Sequence, residues 1–246
     1  MPQYYVAPED IAGGQAVLRG PEARHLASVL RKRAGDEIRL FDKQGNLYRA
    51  QITRISEKIL TVRLLEVRRE PLPALDLTLY QALIAKSKFE DVLEKGTELG
   101  IQSFVPLVTG RTQIRLKPER LDAQLSRWNR IALAALKQSG RTHAARVLAP
   151  MSFPDALRKI NGEPALIGWE KEKSLDFHAA WRSLPEARRT KIHLVIGPEG
   201  GFTEEEASLA LRAGAVPFTF GSGILRSETA ALAASSLILF GDQASP

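Results

Sequence analysis

After residue 74 the chain alternates short, continuous apolar runs with segments whose apolar positions recur every three or four residues. The runs at 75–84, 101–108, 165–169, 192–196 and 216–220 read as strands, too uniformly apolar to keep a wet face. Between them Phe89, Val92, Leu93 and Leu99 form one helical stripe, and Ser87-Lys88-Phe89-Glu90 has the spacing of a capping box. A second helix spans 121–137, Thr203-Glu204-Glu205-Glu206 opens another with a second capping box, and the last runs over 227–239. Strands separated by helices predict a mostly parallel sheet covered on both faces, an α/β domain.

The first 70 residues follow the two-residue period instead. An apolar run at 38–41 enters the turn chemistry of Asp42-Lys43-Gln44-Gly45-Asn46; Tyr48, Ala50 and Ile52 then alternate with Arg49, Gln51 and Thr53, and another strand covers 59–67. One short helix is expected at 21–31. A meander of this size predicts a small β-barrel. Pro71 and Pro73 around Leu72 mark a linker, so the expected division is 1–70 and 74–246.

Composition removes several chemistries. There is no cysteine, which excludes disulfides, thiolate-held metals and thiol nucleophiles. His25, His143, His178 and His193 show neither metal-ligand spacing nor a nucleophile elbow, so no metal is expected. The opening MPQYYVAPEDIAGG lacks the basic-then-apolar pattern of a signal peptide, and no stretch approaches the ~18 apolar residues of a membrane span. A cytoplasmic protein without a membrane partner is the expectation. Residues 1–160 carry 27 basic against 17 acidic side chains, whereas 161–246 carry 8 against 11. A polyanion such as RNA would be drawn to the first two thirds, although a merely basic surface has the same balance.

On an ideal helix Arg120, Arg127, Arg130, Lys137 and Arg141 fall within an arc of about 100°. Leu121, Leu125, Trp128, Ala132, Ala135 and Leu136 occupy the other side, so the helix carries a basic outer stripe with no carboxylate row of its own. The stripe is either a solvated face or a phosphate track. Gly140 ends the helix and leaves Arg141 at its C-terminus, to serve the dipole or to project into a cleft.

Two glycine-bearing loops carry the strongest signal. Ile196-Gly197-Pro198-Glu199-Gly200-Gly201-Phe202-Thr203 joins a strand to a helix, as does Phe220-Gly221-Ser222-Gly223-Ile224-Leu225-Arg226-Ser227-Glu228-Thr229-Ala230. Such crevices at the carboxyl ends of parallel strands are where open α/β sheets bind ligands. The first loop matches neither the dinucleotide fingerprint nor the phosphate loop, and Glu199 with Glu204 to Glu206 would repel phosphate. Its ligand should be uncharged or partly cationic there. A tight structural turn is the plainer alternative. Ser227 and Glu228 suit a helix start, whereas Arg226 opposes the dipole and calls for a partner.

Together with His25, Val29-Leu30-Arg31, Lys95, Thr97-Glu98-Leu99-Gly100, Pro106 and Gln138-Ser139-Gly140-Arg141, these loops make the chain resemble the RsmE family of the SPOUT superfamily. Members methylate N3 of a uridine in 16S ribosomal RNA. The resemblance implies a PUA-like RNA-binding barrel followed by a SPOUT methyltransferase domain with a deep trefoil knot. It also implies S-adenosyl-L-methionine as cofactor, a homodimer, and the small ribosomal subunit as partner. By position the cofactor residues are Ile167, Gly168, Trp169 and Glu170; Ile196, Gly197, Pro198, Glu199, Gly200 and Gly201; and Phe220, Gly221, Ser222, Ile224, Leu225 and Arg226. Arg141 and Arg226 are expected to stabilise the uracil anion or an adjacent phosphate, with Glu199 or Glu228 as base. Arg24, His25, Arg31, Arg127, Arg130, Lys137 and Arg141 are the expected RNA contacts. The family usually has Pro and Arg at the positions of Ser222 and Gly223, and Glu at that of Ala134. A ribose 2′-O methyltransferase of the same superfamily and a non-catalytic RNA-binding assembly protein are the competing expectations.

Overall fold

The computed structural model describes residues 3–56 and 58–241. It divides into two compact units, the first made of residues 1–72 and 136–144, the second of 73–135 and 145–246. A single cut between 70 and 74 therefore leaves out nine residues that return to the first unit. Among the described residues no helix is long and apolar enough to cross a membrane.

Unit 1 is a six-stranded sheet ordered β1 (Gln3–Tyr5), β4 (Glu37–Phe41), β5 (Asn46–Ile55), β6 (Ile59–Arg69), β3 (Gln15–Arg19), β2 (Ile11–Ala12). Only the β1–β4 pair is parallel; the others are antiparallel neighbours. Alternation does the sorting: Ile38, Leu40, Tyr48, Ala50, Ile52, Leu60 and Val62 turn inward and Arg39, Arg49 and Arg63 outward. The helix expected at 21–31 is a single α-turn, α1 (Pro21–Arg24), followed by a π-helical turn over His25–Val29. Ala23 and Leu26 plug the core from it.

The returning segment 136–144 is tied to unit 1 along its length. The Gln3 side chain donates to the carbonyls of Leu136 at 3.2 Å and Arg141 at 2.7 Å. Gly45 N–H reaches Thr142 O, Ala144 N–H reaches Lys43 O, and the Thr142 hydroxyl donates to Glu70 at 2.7 Å. Every backbone group fixed this way would otherwise have to find water.

Unit 2 contains a parallel sheet in the order β10 (Met151–Ser152), β8 (Ser103–Val108), β7 (Asp76–Ala82), β12 (Lys191–Ile196), β11 (Ala165–Gly168), β13 (Val216–Phe218), with β9 (Arg146–Val147) also on β8. On one face Leu77, Leu79, Leu194 and Ile196 bury against α2 (Lys86–Leu99) and α7 (Ser227–Phe240); α3 (Leu121–Ser139) adds Trp128 there, its ring 4.8 Å from Phe89. On the other, Tyr80, Val105, Ile167 and Val195 meet α4 (Phe153–Ile160) and α6 (Glu204–Arg212). α5 (Phe177–Ser183) contacts β13 and adds Phe177 and Trp181 to the first face.

The Thr203–Glu206 capping box forms: the Thr203 hydroxyl takes Glu206 N–H and the Glu206 carboxylate takes Thr203 N–H. The Ser87 box does not. α2 starts two residues earlier than that box requires, at Lys86 with Ala85 as its N-cap, which puts Ser87 inside the helix and leaves Glu90 for an ion pair with Arg127.

Candidate functional site

Register brings the site together. Gly168 of β11 pairs with Ile196 of β12 and with Phe218 of β13, and Ile196 pairs on its other side with Gln81 of β7. Four parallel strands therefore end at one level, and the loops after three of them, at 169–170, 197–201 and 219–226, leave from the same edge. They enclose a cavity of about 430 Å³, within the range of roughly 300–1,000 Å³ usual for small-molecule sites.

Gly168, Trp169, the whole stretch from Ile196 to Gly201, Phe220, Gly221, Ile224, Leu225 and Arg226 line it. Glu170, Phe218, Thr219, Gly223, Ser227 and Ala230 complete the wall. Two expected cofactor residues do not. Ile167 precedes the strand end by one, so its side chain turns into the core between β11 and the α4–α6 layer. Ser222 lies on the exposed outer part of its loop.

The first loop is a tight turn closed by Gly201 N–H on Pro198 O at 2.9 Å. Gly201 sits at φ +68°, a conformation that favours glycine, and a Cβ there would push aside the Glu170 carboxylate, 2.3 Å away. The Arg111 guanidinium donates to Gly200 O at 2.8 Å, and Glu206 accepts Gly110 N–H at 2.7 Å, which pins the loop from outside. Phe220 stacks on Phe177 with centroids 5.8 Å apart and the planes 6° from parallel, which stiffens the third loop.

The charged candidates separate. Arg226 is exposed in the lining, and no acceptor for its side chain is present among the described residues. Glu199 also lines the cavity and accepts Ala85 N–H ahead of α2 at 3.4 Å. Glu228 stands outside the lining; one carboxylate oxygen is 3.5 Å from the Lys88 ammonium, and the other is buried with no partner among the described residues. Ser227 does not cap α7; Arg226 is the N-cap residue, and the hydroxyl is engaged elsewhere. Arg141 belongs to unit 1 rather than to the cavity wall; burial lowers its pKa, with Glu70 opposing, and its carbonyl is held by Gln3. A guanidinium so treated still keeps its charge at neutral pH.

The basic helix is more neutralised than its own sequence suggests. Arg127 makes a two-pronged pair with Glu90 at 2.6 and 2.7 Å, and Lys137 pairs with Glu22. The carboxylates come from α2 and α1, which helical spacing cannot reveal. Arg130 remains exposed, as do Arg24, His25 and Arg31 around the π-helical turn, beside the exposed apolar Val29 and Leu30.

Residues 70–239 match the family model described as an RNA methyltransferase domain, and 18–65 match the RNA methyltransferase PUA domain. A ribosomal RNA small subunit methyltransferase E of Synechocystis is 36% identical over 92% of this chain and 73% of its own length. This chain belongs to the ribosomal RNA small subunit methyltransferase E family. A Neisseria gonorrhoeae structure of that enzyme bound to S-adenosyl methionine superposes with a TM-score of 0.84 at 30% identity, over 97% of this chain and 96% of that one. A Legionella pneumophila methyltransferase with bound SAM gives 0.85 at 29%, over 96% of both chains. The family brings with it a methyltransferase domain on the parallel sheet and a PUA domain ahead of it. The residues fit a methyl donor bearing a positive sulfur: the wall is apolar and backbone-rich, carries Glu170 and Glu199, and includes Trp169, whose buried indole N–H has no acceptor among the described residues.

Proposed function

We propose that this protein methylates N3 of a uridine in 16S ribosomal RNA of the small subunit, using S-adenosylmethionine, as a cytoplasmic homodimer whose sheet is threaded as a SPOUT knot. The observation that carries the proposal is the level edge of Gly168, Ile196 and Phe218, which aims three loops, two of them glycine-bearing, into one cavity. The bound cofactor would supply a methyl group activated by a positive sulfur. Trp169, the 196–201 loop and the 220–226 loop would hold it.

The chain's own residues then have two tasks. Uracil N3 is a weak imide acid, so its proton must leave and the charge that spreads onto the carbonyl oxygens must be met. Arg226, the exposed guanidinium of the wall, meets that charge; Arg141, outside the wall, is assigned to an RNA phosphate. Glu199 is the proton acceptor, because it lines the cavity and Glu228 does not. N3 is on the pairing edge of the base, so the uridine must be unpaired or flipped out. Arg24, His25, Arg31 and Arg130 supply the backbone contacts, with Arg127 and Lys137 held partly neutral by their carboxylates.

Small subunits from a strain deleted for the gene provide the test. Incubation with protein and S-adenosylmethionine should produce N3-methyluridine and a reverse-transcription stop at one position. Ribose methylation, or no methylation with intact RNA binding, would refute the proposal in favour of one of the competing readings.

A further inference from the structure

One buried hydroxyl joins the two glycine loops. Ser227 is the first residue of α7, yet its Oγ donates to the Gly197 carbonyl at 2.5 Å and accepts from Gln81 Nε2 at 2.8 Å. Ser227 is 6% exposed and Gln81 1%. The other Nε2 hydrogen of Gln81 goes to Ala82 O at 3.0 Å, so that amide nitrogen is fully used.

The direction of this chain of bonds is fixed. A hydroxyl has one hydrogen, and with Gln81 donating to its lone pair, Ser227 gives that hydrogen to Gly197. The peptide between Gly197 and Pro198 has no N–H, so its carbonyl is the one group through which a hydrogen bond can set its plane. Everything downstream in the turn to Gly201 inherits that orientation. Gly197 is also closely packed, a Cβ there lying 3.1 Å from the Phe202 ring, so the carbonyl rather than a side chain must carry the anchor.

We infer that Ser227 is a positioning residue of the methyl-donor pocket: through Gln81 and the Gly197 carbonyl it locks the 197–201 loop to the start of α7, and so to the 221–226 loop. The inference rests on the pocket reading given above. Gln81 does not line the cavity; it reaches the wall through Ser227 and through its strand neighbour Ile196, and comparison of the single and double variants separates the two routes.

The test uses the full-length protein as wild type, Ser227→Ala, Gln81→Met and the double variant. Calorimetry gives the affinity for S-adenosylmethionine, steady-state kinetics give separate KM values for cofactor and RNA, and a thermal scan confirms a cooperative fold. Leaving a buried hydrogen-bonding group unpaired should weaken cofactor binding roughly 10- to 100-fold in Ser227→Ala, with KM for RNA unchanged. Gln81→Met should lose several-fold, and the double variant should be no worse than Ser227→Ala, since both act on one network. Wild-type cofactor affinity in either single variant overturns the inference, as does a parallel loss of RNA and cofactor binding. If Ser227→Ala does not fold, Gln81→Met decides alone by the same criterion. A wild-type protein that fails to bind the cofactor overturns the pocket reading instead.

Discussion

His193 makes acid stability a calculable quantity. It lies on β12, 4% exposed, with its ring 5.6 Å from Tyr80 and neither ring nitrogen partnered among the described residues. Burial, reinforced by Lys191 and opposed by Glu163 and Asp76, pushes its pKa down from 6.5 to about 4. The unfolded chain therefore takes up this proton near pH 6.5 and the folded chain only near pH 4, so stability falls as pH falls through that window and levels off below it. At roughly 1.4 kcal/mol per pH unit the gap amounts to ~3 kcal/mol, a large share of the 5–15 kcal/mol typical of a domain. The perturbation is His193→Leu, which orphans no hydrogen-bond partner. Urea unfolding of both proteins between pH 7 and pH 4 should show wild type losing ~3 kcal/mol more than the variant. Parallel pH curves would refute the reasoning and mean that the ring is solvated or partnered in solution.

Other expectations concern the site. Gly201→Ala must adopt φ +68° and displace the Glu170 carboxylate, so S-adenosylmethionine affinity should fall at least about tenfold; titration calorimetry reads it, and unchanged binding would mean the turn relaxes freely. Arg226→Ala should lower kcat by roughly 100-fold or more with KM for the cofactor nearly constant, since the guanidinium acts on developing charge; an effect confined to KM would assign it to binding alone. Arg130→Ala should reduce the slope of log affinity against log salt for RNA by about one, whereas Arg127→Ala should change it less, because Glu90 already offsets that charge. Equal slopes for the two variants would contradict the assigned pairing.

What the sequence discloses depends on the range of the interaction. The buried strands of unit 2 and the amphipathic face of α3 follow from spacing, because each is a local pattern imposed by one core. The Thr203–Glu206 cap was legible for the same reason. The equally spaced Ser87–Glu90 pair was not a cap, since Glu90 has a better partner in Arg127, 37 positions away. α4 offered a readable signal in Ser152-x-x-Asp155 ahead of Phe153, Ala156, Leu157 and Ile160, and α5 in Asp176 ahead of Phe177, Ala180 and Trp181; neither is a strand-bounded stripe as long as those of α2 and α3. Of the site, the glycine loops are visible because close approach demands glycine. The roles of Ser227, Gln81 and Glu228 are invisible because each is set by a group brought alongside only when β7, β12, α2 and α7 assemble. Gln3 is the extreme case, a polar residue near the N-terminus buried by a segment 133 positions downstream.

That last contact bears on synthesis. A ribosome delivers residue 72 long before residue 144, so the nascent N-terminal sheet must wait with the Gln3 carboxamide seeking water instead of Leu136 and Arg141. The first unit to emerge is thus not the first that can be finished, and a truncated copy ending at the linker would be left permanently at that halfway stage.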